Sequence, residues 1–311
     1  MGKLAFIFPG QGAQYVGMGK QLAEEYESSC KVFDDASEAL GFDVRKMIFE
    51  SDDETLKITE NTQPAILTTS IACLQPLLEK GIKPDVVAGL SLGEYSAHVA
   101  AGTMSFKEAV ALVKKRGKFM QEAVPIGVGT MAAILGLENE DVLECCNAAS
   151  SEGIVEPANF NCPGQVVIAG EVKAVENAVE IAKEKGAKRA MVLPVSAPFH
   201  CSMLKNAGDK LALELEKIVL NDIQIPVVTN VTAEYILDKT KVKDLLIRQV
   251  SSSVLFEDSI RKMIDSGVDT FVEIGPGKVL SGFIKKINKE VKTLNVEDSD
   301  SLNKVLQELG V

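Results

Sequence analysis

Five residues, Gly89-Leu90-Ser91-Leu92-Gly93, narrow the folds open to this chain more than any other stretch. A short, mostly apolar run at residues 85–88 precedes them, and a helix-forming stretch at residues 94–101 follows. Strand, tight turn and helix are the context of a G-x-S-x-G nucleophile elbow, in which the serine adopts a strained backbone and presents its hydroxyl. The pentapeptide alone also occurs in surface turns, but its flanks favour a nucleophile. We therefore interpret Ser91 as a candidate nucleophile.

The composition is that of a soluble globular chain. Its 311 residues are 46% hydrophobic and 25% charged, which is enough for a large core and a smaller second unit. The apolar run at residues 4–8 is too short for a signal peptide, and no run approaches membrane-spanning length. Six cysteines without a C-x-x-C pair fit a reduced compartment. We expect a cytoplasmic protein without a membrane partner.

The net charge of −11 argues against nucleic-acid binding, which requires a basic surface. It also means that an acidic partner would need a locally positive patch. Lys114, Lys115 and Lys118 fall on the polar side of a predicted helix that the capping box of Ser105 and Glu108 opens. Arg116 projects about 60° to 80° from the centre of the apolar face of that helix, so that solvated and partly buried positions are equally compatible with its spacing.

Strands that alternate with helices predict an α/β fold with a doubly wound, mostly parallel sheet. Residues 127–198 differ, because their pattern reads βαββαβ, the order of a ferredoxin-like unit. We expect an α/β-hydrolase-like catalytic domain over residues 1–126 and 199–311, with residues 127–198 inserted as a small ferredoxin-like subdomain. One helix is predicted over residues 20–40, and another from about Pro64.

A serine nucleophile needs a base, and the chain has only two histidines. His98 lies seven residues after Ser91 on the helix that the elbow begins, roughly 10 Å along its axis, and is better interpreted as a packing residue. His200 is left as the partner of Ser91. Cys201 beside it is a weak alternative nucleophile. No carboxylate is distinguished as a third member, and two distant histidines give no metal-ligand spacing.

Taken together, these motifs resemble the malonyl-CoA:acyl carrier protein transacylases of type II fatty acid synthesis, which are related to polyketide synthase acyltransferase domains. The resemblance spans nearly the whole chain. It is carried by residues 8–14 (FPGQGAQ), 61–65 (NTQPA), 89–95 (GLSLGEY), the helix with Arg116, 161–170 (NCPGQVVIAG), 198–200 (PFH), 248–249 (RQ) and 273–277 (EIGPG).

The resemblance implies a role for each matching residue. Ser91 and His200 would form a dyad, with the backbone carbonyl of Gln249 orienting the histidine. The backbone amides of Gln11 and Leu92 would form the oxyanion hole. The acyl group would be bound by the side chains Arg116, Gln63, Phe199, Leu90 and Met120, with Arg116 on the malonyl carboxylate.

One residue departs from the family pattern. The family usually has histidine before the nucleophile, where this chain has Leu90. Because that side chain is not the base, we expect the chemistry to survive, with altered hydrogen bonding around the acyl group. Phe199 matches the residue that malonyl-selective relatives often carry.

The implied activity is ping-pong transfer of malonate from malonyl-CoA to the phosphopantetheine thiol of acyl carrier protein, through malonyl-Ser91. No bound cofactor or metal is expected, and we expect a monomer. A serine hydrolase of small esters or thioesters, an acyltransferase for another extender unit and a non-enzymatic carrier-binding scaffold remain alternatives. For the acidic carrier we predict a docking patch of Lys114, Lys115 and Lys118, together with Lys188 and Arg189.

Overall fold

The computed structural model describes residues 2–195 and 197–311. Its strands are β1 Lys3–Phe8, β2 Val86–Gly89, β3 Gly129–Leu135, β4 Val155–Cys162, β5 Gln165–Glu171, β6 Arg189–Val192, β7 Val227–Val228, β8 Tyr235–Ile236, β9 Val254–Leu255, β10 Val268–Ile274 and β11 Lys292–Val296. Its α-helices are α1 Lys20–Glu25, α2 Glu27–Leu40, α3 Val44–Phe49, α4 Asp53–Lys57, α5 Thr59–Glu79, α6 Gly93–Ala100, α7 Phe106–Glu122, α8 Asn139–Ala149, α9 Val172–Glu184, α10 Lys205–Glu216, α11 Val242–Val250, α12 Phe256–Asp265, α13 Val279–Ile287 and α14 Ser299–Leu309. Within the described ranges, no helix has the length and apolar character needed to cross a bilayer.

A six-stranded sheet in the order β11-β10-β1-β2-β7-β8 carries the elbow. All of its pairings are parallel except that of β7 with β8. The inner strand β1 ends in four buried residues, and all four residues of β2 are buried, because helices cover both faces. β1 and β2 end side by side, with Phe8 opposite Gly89, so the loops that follow them meet at one edge. Ligand sites of open parallel sheets form at such edges.

The second sheet has the order β6-β3-β5-β4-β9. Its first four strands pair antiparallel and are connected in the sequence strand, helix, strand, strand, helix, strand, with α8 and α9 packed on a separate apolar core. The fifth strand was not foreseen. β9 comes from residues 254–255, outside the predicted insertion, and pairs parallel with β4. The two sheets are therefore joined by the chain that follows α11.

Two helix predictions were wrong in their bounds. The helix predicted over residues 20–40 is divided between α1 and α2, because Tyr26 is extended, with φ −123° and ψ 118°. The helix predicted from Pro64 begins at Thr59, with Pro64 already inside it. A proline costs least in the first turn, where its missing N–H has no intrahelical partner, and Pro64 lies only just beyond that turn.

Candidate active site

The elbow places Ser91 in a conformation that few L-residues adopt. Its φ is 53°, and the turn that contains it joins β2 directly to α6. Glycine is required on both sides because the backbones touch. A Cβ on Gly89 would lie 2.0 Å from the carbonyl carbon of Gly93, and a Cβ on Gly93 would lie 2.0 Å from the Phe8 oxygen. This packing holds the serine at the edge of the sheet.

His200 lies next to Ser91, as the elimination predicted. Its Nε2 is 2.7 Å from the Ser91 Oγ, and its Nδ1 is 2.8 Å from the backbone oxygen of Gln249. A carbonyl oxygen only accepts hydrogen bonds, so in the neutral ring Nδ1 carries the proton and Nε2 presents its lone pair to the serine hydroxyl. The dyad is thus arranged for transfer of the serine proton to Nε2.

His200 is held in its neutral form. It is buried, and burial together with the positive charge of Arg116 lowers its pKa from 6.5 to about 3, against the opposing hydrogen bond to Gln249. A general base must be unprotonated to act, so the environment keeps the imidazole ready well below neutral pH.

Two backbone amides belong to the two loops that meet at this edge of the sheet. Leu92 follows Ser91 in the elbow, and Gln11 lies on the loop after β1. That loop touches the elbow, because a Cβ on Gly10 would lie 2.4 Å from the Leu90 backbone oxygen. Within residues 2–195 and 197–311, neither the Gln11 nor the Leu92 N–H donates a hydrogen bond. Both donors remain available at the site.

Arg116 lies beside the nucleophile, which settles the alternatives left open by its helical spacing. Its side chain is 1% exposed, although it belongs to an otherwise lysine-rich segment of α7. Nη1 donates to Gln63 Oε1 at 2.8 Å, whereas Nη2 donates to Gln249 Oε1 at 2.9 Å and to Ser91 Oγ at 3.2 Å. The guanidinium carbon lies 5.3 Å from the centre of the Tyr95 ring. All of these hydrogen-bond acceptors are neutral, and the charge of the Glu94 carboxylate acts on the guanidinium without a direct hydrogen bond.

Two residues of the site were missed by the sequence analysis. Asn230 accepts from the Ser91 N–H at 2.6 Å and donates to the Gly89 oxygen at 2.6 Å, which clamps the elbow on both sides of the serine. The buried carboxylate of Glu94 accepts from the Asn230 N–H at 3.0 Å and from Gln249 Nε2 at 2.7 Å. Burial raises the pKa of Glu94 to about 7. Its place just after the G-x-S-x-G motif, on the inner face of α6, was the one available signal.

The other predicted side chains are found around this group. Gln63 and Met120 are both buried, with Gln63 Nε2 3.7 Å from the Met120 sulfur. Phe199 is buried next to the base, and Leu90 is partly exposed at the elbow. Of these, Gln63 contacts Arg116 directly. The contacts of these side chains with an acyl group stay predictions.

Neither the second histidine, His98, nor the alternative nucleophile, Cys201, has the environment of a catalytic group. His98 is buried within α6, where burial lowers its pKa to about 4, as expected of a packing residue. The Cys201 thiol donates to the Pro198 oxygen at 3.1 Å, and burial raises its pKa to about 12, which keeps it protonated. Over the described ranges, no group of three or more His, Cys, Asp or Glu residues is placed to hold a metal ion.

The predicted patch of α7 lysines is wrong as a source of free positive charge. Lys114 lies 2.8 Å from Glu60, Lys115 lies 2.7 Å from Glu214, and Lys118 lies 3.9 Å from Glu122. Each lysine therefore has a carboxylate beside it. Helical spacing shows that the lysines share one face of α7. It carries no information about the acidic residues that α5 and α10 place beside two of them.

Known proteins resemble the chain over nearly its full length. Residues 5–305 match the family described as acyl transferase domain. A malonyl CoA-acyl carrier protein transacylase of Bacillus subtilis (strain 168) is 52% identical over 310 residues, which cover 99% of this chain and 98% of the relative.

Solved structures agree with this similarity. The crystal structure of malonyl CoA-acyl carrier protein transacylase from Clostridium perfringens Atcc 13124 has a TM-score of 0.96 at 54% identity, covering 99% of this chain and 97% of that one. A complex called PlMCAT:AntF, described as a type II PKS acyl-carrier protein with its malonyl-transacylase, has a TM-score of 0.96 at 43% identity, covering 98% and 99%.

The environment of His200 predicts how the reactivity of Ser91 depends on pH. Labelling of Ser91 by phenylmethylsulfonyl fluoride should keep its rate from about pH 7.5 to about pH 5, because the base stays neutral throughout. Arg116→Gln removes a charge that disfavours the imidazolium, so the pKa of His200 rises and the loss of rate moves to higher pH. Intact-mass measurements of labelling check both. A midpoint near 6.5 in both proteins would contradict this account.

Proposed function

The chain belongs to the acyl transferase domain family, and we propose that it transfers malonate from malonyl-CoA to the phosphopantetheine thiol of acyl carrier protein through an ester on Ser91. One observation supports malonate in particular. A buried guanidinium with only neutral hydrogen-bond partners lies 3.2 Å from the nucleophile. The relatives in both comparisons are transacylases named for the same acyl group.

In the first half-reaction, Ser91 Oγ attacks the thioester carbonyl carbon while its proton passes to His200 Nε2. The carbonyl oxygen becomes an oxyanion, for which we propose the Gln11 and Leu92 amides as donors. When the tetrahedral intermediate collapses, the carbon–sulfur bond breaks, and His200 returns the proton to the CoA sulfur. The products are malonyl-Ser91 and CoA thiol. The Nδ1 proton stays on the ring and donates to the Gln249 carbonyl throughout.

The second half-reaction runs the same steps with a different thiol. The phosphopantetheine thiol gives its proton to His200 Nε2 as its sulfur attacks the ester carbonyl. Collapse breaks the bond to Ser91 Oγ, which recovers the proton. The carrier thioester leaves, and the free dyad is restored.

Arg116 supplies the acyl selectivity in this proposal. A charge-assisted hydrogen bond to a carboxylate contributes about 1.5 to 3 kcal/mol, so a two-pronged contact favours malonyl over acetyl by about two powers of ten or more. A simple ester hydrolase would have no use for such a group beside its nucleophile. We further propose that Gln63, Met120, Phe199 and Leu90 line the acyl pocket, because Gln63 contacts both Arg116 and Met120, while Phe199 and Leu90 flank the dyad in sequence.

The strand orders support the finer fold assignment that we propose. The parallel sheet with its elbow has the character of a doubly wound, α/β-hydrolase-like core, formed by residues 1–126 and 199–311. The order β6-β3-β5-β4 and its two helices support a ferredoxin-like subdomain at residues 127–198, extended by β9. Because Ser91, His200, Gln249 and Arg116 come from one chain, we propose that a monomer is sufficient for activity.

For the carrier protein we propose a docking surface around β6 and α13. Lys188 and Arg189 are exposed, and within the described residues neither forms an ion pair. Lys188 packs beside Gly136, and Lys286 of α13 donates to Gln165 Oε1 at 3.2 Å in the neighbouring hairpin. These basic groups have the charge that an acidic carrier requires.

Acylation of Ser91 tests the function most simply. After incubation with malonyl-CoA, mass spectrometry should find the Ser91 peptide heavier by one malonyl group, and addition of holo acyl carrier protein should remove it. Ser91→Ala serves as the control. A hydrolase would release free malonate rapidly without any thiol, and a binding scaffold would leave Ser91 unmodified.

Substitution of Arg116 tests the acyl selectivity. Arg116→Ala should lower kcat/KM for malonyl-CoA by about a hundredfold or more, because the carboxylate loses its charged partner, while acetyl-CoA transfer is kept or increased. Steady-state transfer rates with both donors check this. An unchanged malonyl-to-acetyl preference would remove Arg116 from the pocket.

Removal of charge tests the docking surface. The double variant Lys188→Gln, Arg189→Gln should lower kcat/KM for carrier protein on the order of threefold to tenfold at low salt, while loading of Ser91 from malonyl-CoA is unchanged. The matched control, Lys115→Gln with Lys118→Gln, removes the same charge from paired lysines. Equal losses in the two double variants would contradict the assignment.

A further inference from the structure

The side-chain amide of Gln249 lies between the Arg116 guanidinium, which only donates hydrogen bonds, and the Glu94 carboxylate, which accepts them. Its Oε1 accepts from Arg116 Nη2 at 2.9 Å, while its Nε2 donates to Glu94 Oε2 at 2.7 Å and to the Ser91 oxygen at 3.0 Å. A guanidinium has no acceptor, so only one orientation of the amide satisfies both neighbours. If the amide were reversed, its NH₂ group would face the guanidinium.

Glu94 is the one carboxylate among the acceptors that favour this orientation, beside the Ser91 oxygen and Asn230 Oδ1, which lies 3.3 Å from Gln249 Nε2. Its Oε2 accepts two hydrogen bonds, from Gln249 Nε2 and from the Asn230 N–H. Since both donors point at Oε2, a proton on the carboxyl group would occupy Oε1, which has no hydrogen-bond partner among the described residues. Oε2 is therefore an acceptor in either protonation state. The side chain is fully buried, and it takes no part in the chemical steps derived above.

We propose that Glu94 is a positioning residue for acyl selectivity, which acts through the Gln249 amide on the Arg116 guanidinium. This inference rests on the proposed function, because it assumes that Arg116 selects the malonyl carboxylate. When Glu94 Oε2 is in place, Gln249 Oε1 and Gln63 Oε1 hold the two ends of the guanidinium. Without that acceptor, Gln249 Nε2 keeps only neutral acceptors, so the amide is held less firmly and the anchor that its Oε1 gives Arg116 becomes looser.

Two conservative substitutions separate the position of the acceptor from its charge. Glu94→Gln removes the charge but keeps an oxygen at the site, so the ratio of malonyl to acetyl kcat/KM should stay within about threefold of the unsubstituted chain. Glu94→Asp keeps the charge but withdraws the oxygens by one methylene, so the ratio should fall about tenfold, as small displacements in a binding site commonly cause. Using the ratio cancels any common effect on Ser91.

A matched control tests for general destabilisation. Glu273 is likewise a buried carboxylate that accepts two N–H groups, from Leu280 at 3.1 Å and Ser281 at 2.8 Å, but they belong to the start of α13. Glu273→Asp should leave the ratio within about threefold. All rates are normalised to the fraction of Ser91 that phenylmethylsulfonyl fluoride labels, so only folded enzyme is counted.

A double variant tests the route through Arg116. In an Arg116→Ala background, Glu94→Asp should change the ratio by less than about twofold, because the group on which Glu94 acts is absent. The proposal is overturned if Glu94→Asp keeps the ratio, if Glu94→Gln lowers it equally, if Glu273→Asp lowers it equally, or if the fall persists without Arg116. Failure of the proposed function would look different, since the unsubstituted chain would then show no preference for malonyl-CoA.

Discussion

The hydrogen bond between Ser91 Oγ and His200 Nε2 joins two residues 109 positions apart, and the chemistry depends on it. Each partner occupies a left-handed backbone conformation, with φ 53° at Ser91 and φ 62° at His200. Such conformations cost of order 1 to 3 kcal/mol and persist only where the surroundings enforce them. The close packing of Gly93 against β1 enforces the first, and Asn230 clamps the same turn.

Gln249 contacts His200, Ser91 and Arg116 at the same time. Its backbone oxygen fixes the tautomer of His200, and its amide contacts the nucleophile's own backbone as well as Arg116. The His200 imidazole, the Ser91 backbone and the Arg116 guanidinium therefore share one support on α11. Because these polar groups are buried and hydrogen-bonded to one another, they are held in place before a substrate arrives, which is the condition under which electrostatic stabilisation is most effective.

The sequence alone predicts those parts of the site that have a local motif or a rare residue type. The elbow was visible because close packing requires glycine at 89 and 93, and His200 was found because only two histidines exist. The inward position of Arg116 was left open by its spacing and settled by the fold. Asn230 and the Gln249 side chain were not visible, because an amide on a turn or helix has no pattern that reveals a partner about 140 or 160 positions away.

The remaining differences between the predicted and the observed structure also arise from contacts that local sequence patterns do not record. Tyr26 breaks a periodic helix pattern through its extended backbone, which periodicity alone does not register. The two-residue strand β9 is too short to give an alternation signal, although it joins the two sheets. The α7 lysines were correctly placed on one polar face, but their charge is compensated by Glu60 and Glu214 from other helices. Tertiary contacts decided each case.

The central claim is that His200 is neutral, with its proton on Nδ1 and its lone pair directed at Ser91. Nitrogen-15 NMR of histidine-labelled protein measures this directly, because the chain has only two histidines and His98→Gln identifies the other signal. At about pH 6 the account predicts the resonances of a neutral ring, with a protonated Nδ1 and an unprotonated Nε2. An imidazolium, or a neutral ring with the proton on Nε2, would contradict it.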